Sequence, residues 1–77
     1  MTIGFVLIKV APKYESEVYI KILQLSEVQE LHPLFGEYDQ LAIIKADDYD
    51  KITDIIINKV RVINGVIDTK LLSGTKF

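Results

Sequence analysis

The chain has 77 residues, no cysteine, one histidine and a net charge of −2. This length is one domain, and the composition excludes disulfides, thiolate metal sites and a histidine-rich metal site. The nine Lys and Arg are scattered among eleven acidic residues, so the basic face that nucleic-acid readers carry is not written here.

Residues 3 to 10, IGFVLIKV, are β-branched and aromatic with little alternation, which predicts a strand covered on both faces. The start lacks the basic n-region and small-residue cleavage site of a signal peptide, and no apolar run reaches the ~20 residues of a bilayer span. A soluble, cytoplasmic protein is expected. Pro12 stops the strand and suits the start of a helix. Residues 14 to 24 carry Tyr14, Val18, Ile22 and Leu25 on one stripe, with Glu15, Glu17, Lys21 and Gln24 on the other side. The two glutamates lie in the first turn, where the helix dipole favours them.

Residues 27 to 35, EVQELHPLF, alternate and predict a second strand, which Pro33 places at a sheet edge. GEYD at 36 to 39 is a turn in which Gly36 takes positive φ and Asp39 bonds nearby backbone. QLAIIKA at 40 to 46 is a third strand, apolar on both faces. Asp47 or Asp48 caps a second helix running to about Val62. Its expected inner stripe is Tyr49, Ile52, Ile56, Val60 and Ile63, with Gly65 as its left-handed cap. VIDTKLLS at 66 to 73 is a fourth strand.

The halves resemble each other. IKVA at 8 to 11 echoes IKAD at 44 to 47, and EVQELHPLFG echoes GVIDTKLLSG with Val28 and Val66 38 positions apart. Two right-handed βαβ units interleaved in this way predict an α+β, ferredoxin-like βαββαβ sandwich with an antiparallel sheet of order 4-1-3-2. Both helices then cover one sheet face. Strand one offers Phe5 and Leu7 on one side and Val6, Ile8 and Val10 on the other. Strand three offers Leu41 and Ile43, then Ala42 and Ile44. Whichever face the helices take, the other stays apolar, at a composition that is 49 % hydrophobic. We therefore expect two sheets to pack face to face in a dimer, a dimeric α+β barrel; stable homodimers bury on the order of 2,000 Å².

Catalytic signals are thin. His32, beside Glu30, is the one candidate general base, and it falls on an edge strand rather than in a pocket. Asp47, Asp48 and Asp50 lack the glycine and later glutamate of a calcium loop. The turn FGEYD and the end LSGTKF place carboxylates and turn N–H groups at opposite sheet edges. Brought together across subunits, they suit a zwitterion. We expect no enzyme, no cofactor and no metal; a small dimeric α+β barrel enzyme and a purely structural assembly protein are the alternatives.

The run from Phe5 to Asp48, then INGVIDTKLLSGTKF, resembles the effector-binding half of the leucine-responsive/asparagine regulator (Lrp/AsnC) family, the RAM domain. The most specific parts are V-x-E-x-x-x-x-x-G-x-Y-D from Val28 to Asp39 and G-V-x-D-T from Gly65 to Thr69. The resemblance covers essentially all of residues 1–77. The chain begins at the first strand, so it looks like a stand-alone RAM module without the family's helix-turn-helix, and direct DNA binding is not carried over. The resemblance implies a homodimer assembling to a higher oligomer, commonly an octamer, with an amino-acid effector between dimers. The implied ligand-binding residues are Pro33, Phe35, Gly36, Glu37, Tyr38, Asp39, Tyr49, Leu72, Ser73, Gly74 and Thr75, with the Asp39 carboxylate helping to hold the ligand ammonium. It also implies transcription regulation through assembly with itself or with full-length Lrp/AsnC regulators.

Overall fold

A computed structural model describes residues 1–72. The element order is β1 (Thr2–Val10), α1 (Glu15–Leu23), β2 (Val28–Pro33), β3 (Gln40–Ala46), α2 (Tyr49–Ile55) continued by a π-helical turn (Ile56–Val60), and β4 (Val66–Leu72). The strands form one antiparallel sheet of order β2-β3-β1-β4, the expected 4-1-3-2 read from the other edge. Pro33 does lie on an edge strand, as a residue without an N–H requires.

Alternation decides which side chains meet the helices. Val6, Ile8 and Val10 of β1, Ala42 and Ile44 of β3 and Leu31 of β2 point inward. They pack on Val18 and Ile22 of α1 and on Ile52, Ile55, Ile56 and Val60 of α2 and its continuation. Gly4 lies under α2, where an added Cβ would stand 2.9 Å from Ile52 Cγ2. Helix α1 has Glu15 and Glu17 in its first turn as expected, but no side-chain cap. Instead the Glu15 carboxylate accepts from Lys13 N at 2.8 Å and steadies the turn before the helix. Asp48 caps α2, accepting from Lys51 N at 2.8 Å.

Three expectations about the second helix change. Its regular part ends at Ile55, and Arg61 N donates to Ile56 O in a wide five-residue turn. Four-residue steps such as Ile52, Ile56 and Val60 drift about 40° each on a regular helix; the wide turn offsets that drift and keeps Val60 inside. Tyr49 is not on the inner stripe: it is exposed, and Ile55 takes a buried place. Gly65 does have positive φ (104°), but five residues past Val60, where the last helical turn ends. There its carbonyl accepts from Ala11 N at 2.7 Å, and its α-carbon lies against Tyr14, 2.6 Å from where an added Cβ would stand.

The internal repeat has a structural counterpart. Each edge strand carries one bulged residue, Gln29 in β2 and Ile67 in β4. They are 38 positions apart (67 − 29), the same offset as Val28 and Val66.

Candidate functional site

The turn between β2 and β3 is tied to the sheet by Asp39. Leu34 N donates to Asp39 O at 2.8 Å, Asp39 N donates to Ile8 O at 2.9 Å, and Val10 N donates to Asp39 Oδ2 at 2.7 Å. One aspartate thus clamps the turn onto the end of β1. Gly36 has φ 120° and nothing within 4 Å of an added Cβ, so its role is backbone conformation rather than close packing. Phe35 is fully exposed at the tip, Glu37 is exposed, and Tyr38 and Asp39 are half-buried.

The structure places the expected site residues in three locations. Pro33, Phe35, Gly36, Glu37, Tyr38 and Asp39 sit together at one end of the β2 edge. Tyr49 follows the far end of β3, six strand steps or about 20 Å from the turn. Leu72 pairs with Phe5 on the opposite edge strand, heading away from the turn. Ser73, Gly74 and Thr75 lie outside the described residues. One protomer therefore does not bring the set together.

A cavity of about 500 Å³ adjoins the same turn. One wall is α1, through Glu15, Ser16, Tyr19 and Ile20. The other is the hairpin, through Pro33, Leu34, Asp39 and Gln40. Gln40 is the one polar residue of the described core, 3 % exposed. Its Nε2 donates to Glu15 O at 3.3 Å, and its Oε1 is buried without a hydrogen-bond partner. Sequence reasoning missed this cavity. The signal was present in QLAIIKA, where Gln40 shares an alternation phase with the core residues Ala42 and Ile44. A second cleft of about 370 Å³ at the other end of the sheet is lined by mixed charges, among them Lys45, Asp47, Lys51 and Asp54.

The sheet face away from the helices is apolar at its centre. Ile3, Phe5 and Leu72 are 46 %, 43 % and 38 % exposed, and Leu7, Leu41 and Ile43 are half-buried between them. Strand pairing places Lys9, Lys45, Lys70, Asp68, Glu30 and His32 around this patch on the same face. His32 Nε2 lies 3.0 Å from Glu30 Oε1, both side chains more than half exposed, so the pair sits on an open surface rather than in a cleft. At the far end of β2, the hydrogen bond from Lys59 holds the Glu27 carboxyl below the usual glutamate range. Among the described residues, no three His, Cys, Asp or Glu converge as metal ligands, and no helix is long and apolar enough to cross a membrane.

The domain is thus a ferredoxin-like sandwich with an apolar open face and a glycine turn clamped by Asp39. Residues 3–72 match the Lrp/AsnC ligand binding domain, and the chain belongs to that family. It is 35 % identical over 71 residues to an uncharacterised HTH-type transcriptional regulator of Pyrococcus horikoshii, an alignment covering 88 % of this chain and 47 % of the relative. The chain thus spans about half the length of the curated relatives it matches. Among solved structures, a protein of Thermus thermophilus superimposes with a TM-score of 0.91 at 25 % identity, covering 100 % of this chain and 96 % of that one. E. coli AsnC superimposes with a TM-score of 0.84 at 25 % identity, covering 91 % of this chain and 48 % of AsnC.

Proposed function

We propose that this domain senses an amino-acid effector and converts its binding into assembly, as a non-catalytic module of transcription regulation. The observation that carries this reading is the open sheet face. An exposed apolar centre rimmed by charges of both signs suits self-pairing across a twofold axis. Pairs of sheets then abut, and the residues that one protomer keeps apart become neighbours. The β2–β3 turn of one subunit, with Pro33, Phe35, Gly36, Glu37, Tyr38 and Asp39, meets Leu72, Ser73, Gly74 and Thr75 of another, with Tyr49 added to them. An effector held there stabilises the assembly that makes the pocket, through its higher affinity for that state. An octamer of four such pairs is the expected form, alone or mixed with full-length regulators of the family.

The exposed His32–Glu30 pair on the sheet rim supports binding rather than turnover, because a general base needs a pocket that positions its substrate. Sedimentation at micromolar concentration, with and without each of the twenty amino acids, tests the proposal. One amino acid should shift the oligomer distribution and raise the melting temperature. A monomer under every condition would refute assembly; an oligomer indifferent to all twenty would leave a structural scaffold. Native mass spectrometry with a full-length regulator tests mixed assembly.

A further inference from the structure

The turn that leads from the second helix into β4 holds a reactive pair of residues. Asparagine stands at two positions, Asn58 and Asn64, and only Asn64 precedes a glycine. Asn64 is exposed, and its side-chain amide bonds to no described residue. Ile63 N donates to Val60 O and Val66 N donates to Ile63 O, each at 3.1 Å. Between them, the N–H of Gly65 donates to no described group. Its carbonyl accepts from Ala11 N at 2.7 Å, and its α-carbon lies against Tyr14. The fold thus grips Gly65 on the carbonyl side and leaves its nitrogen free.

An exposed amide carbon and a free main-chain nitrogen one residue on are the two partners of a five-membered ring closure. Tethered groups react at a high effective concentration, and glycine has no Cβ to block the approach. Asn58 lacks both advantages. Lys59, which follows it, carries a side chain, and its backbone is held in the π-helical turn. We infer that Asn64 is a self-modification site whose reaction loosens the start of β4 as the protein ages. The Gly65 nitrogen gives up its proton and bonds to Asn64 Cγ. The Cγ–Nδ2 bond breaks, and ammonia leaves with that proton. Water then opens the cyclic imide and returns a proton to the nitrogen. Opening at Cγ yields aspartate. Opening at the main-chain carbonyl yields isoaspartate, with the chain now running through Cβ and Cγ. Either product carries one more negative charge. The isoaspartate also inserts one extra main-chain atom directly before Gly65. That atom disturbs the Ala11–Gly65 hydrogen bond and the Tyr14 contact, which seat Val66 opposite Val10. The site lies at the opposite end of β4 from the residues proposed for the effector pocket.

Ageing the native protein at physiological temperature in mildly alkaline buffer, followed by tryptic mass mapping, tests this. The peptide Val62–Lys70 should gain the mass difference between an amide and a carboxylic acid. It should resolve into two forms, one of them methylated by an isoaspartate-specific methyltransferase. The peptide carrying Asn58 should stay unchanged over the same period, and Asn64→Gln, which needs a larger ring, should suppress the gain. Aged protein should unfold at lower urea than Asn64→Asp, which has the new charge without the extra atom. Asp48→Ala removes the α2 cap and raises the unfolded population severalfold; its conversion rate should match the wild type, because the folded turn is the reactant. Three results overturn the proposal: no conversion once the free peptide of the same sequence has converted, equal conversion at Asn58, or faster conversion in Asp48→Ala, which would place the reaction in the unfolded chain. Aged protein as stable as Asn64→Asp would show the turn indifferent to the extra atom and overturn it as well.

Discussion

Phe5→Asp is the sharpest perturbation of the open sheet face. Phe5 is 43 % exposed in the protomer. Of the roughly 200 Å² that a phenylalanine side chain presents, about 85 Å² is then available to a partner. At about 25 cal/mol per Å², hiding that area is worth about 2 kcal/mol. A twofold interface contains the residue twice, so the pair of copies contributes about 4 kcal/mol, or roughly a thousandfold in the dimer dissociation constant. A buried unpaired carboxylate adds to this loss. Sedimentation equilibrium across a dilution series reads the dissociation constant, and circular dichroism confirms that the helices and sheet persist. Should the folded variant dissociate less than about tenfold more readily than the wild type, this face is not the interface, and the assembly reading loses its support.

Other substitutions test the clamps and the caps. Gly65→Ala combines a left-handed backbone with a Cβ only 2.6 Å from Tyr14 Cβ; urea unfolding should show a loss of about 2–5 kcal/mol. Asp39→Ala leaves Val10 N without its acceptor and should cost about 1–3 kcal/mol, whereas Asp39→Asn should recover most of that. Asp48→Ala removes the α2 cap and should cost about 1 kcal/mol. Glu27 has a lowered pKa in the folded protein, so the unfolded chain binds the extra proton. The Glu27–Lys59 contribution is therefore present above the unfolded glutamate pKa and is lost as pH falls through the lower folded value. Because Lys59 is about half exposed, solvent screening holds this to roughly 0.5 kcal/mol. Lys59→Met should flatten that part of the stability profile in acid urea titrations.

The strands and their order were legible because each carries its own punctuation. Pro12 ends β1, Pro33 marks an edge, and the glycine turn at 36 separates β2 from β3; the handedness rule for βαβ units then leaves few arrangements. The second helix was less legible. Periodicity assumes one residue count per turn, and the wide turn at Ile56–Val60 changes that count where Val60 must stay inside. Gly65 looked like a helix cap because its positive φ was readable from residue type, while its neighbour was not. What fixes it is Tyr14, 51 positions earlier in the chain (65 − 14). The cavity was hidden for the same reason. Gln40 becomes informative only once α1 docks and Glu15 O meets its amide across 25 positions. The open face was foreseeable, since strands apolar on both sides must show one of them.

The two bulges and Pro33 also oppose fibrous aggregation. A regular outer strand invites another chain to zip alongside it, and repetition of that step yields amyloid. Here Gln29 and Ile67 each break the regular spacing of donors and acceptors on a border strand, and Pro33 withholds a donor on one of them. Sideways extension is thereby obstructed at both margins, while stacking across the broad surface stays open. An oily sheet that would otherwise template endless ribbons therefore has only its broad face free to meet another copy.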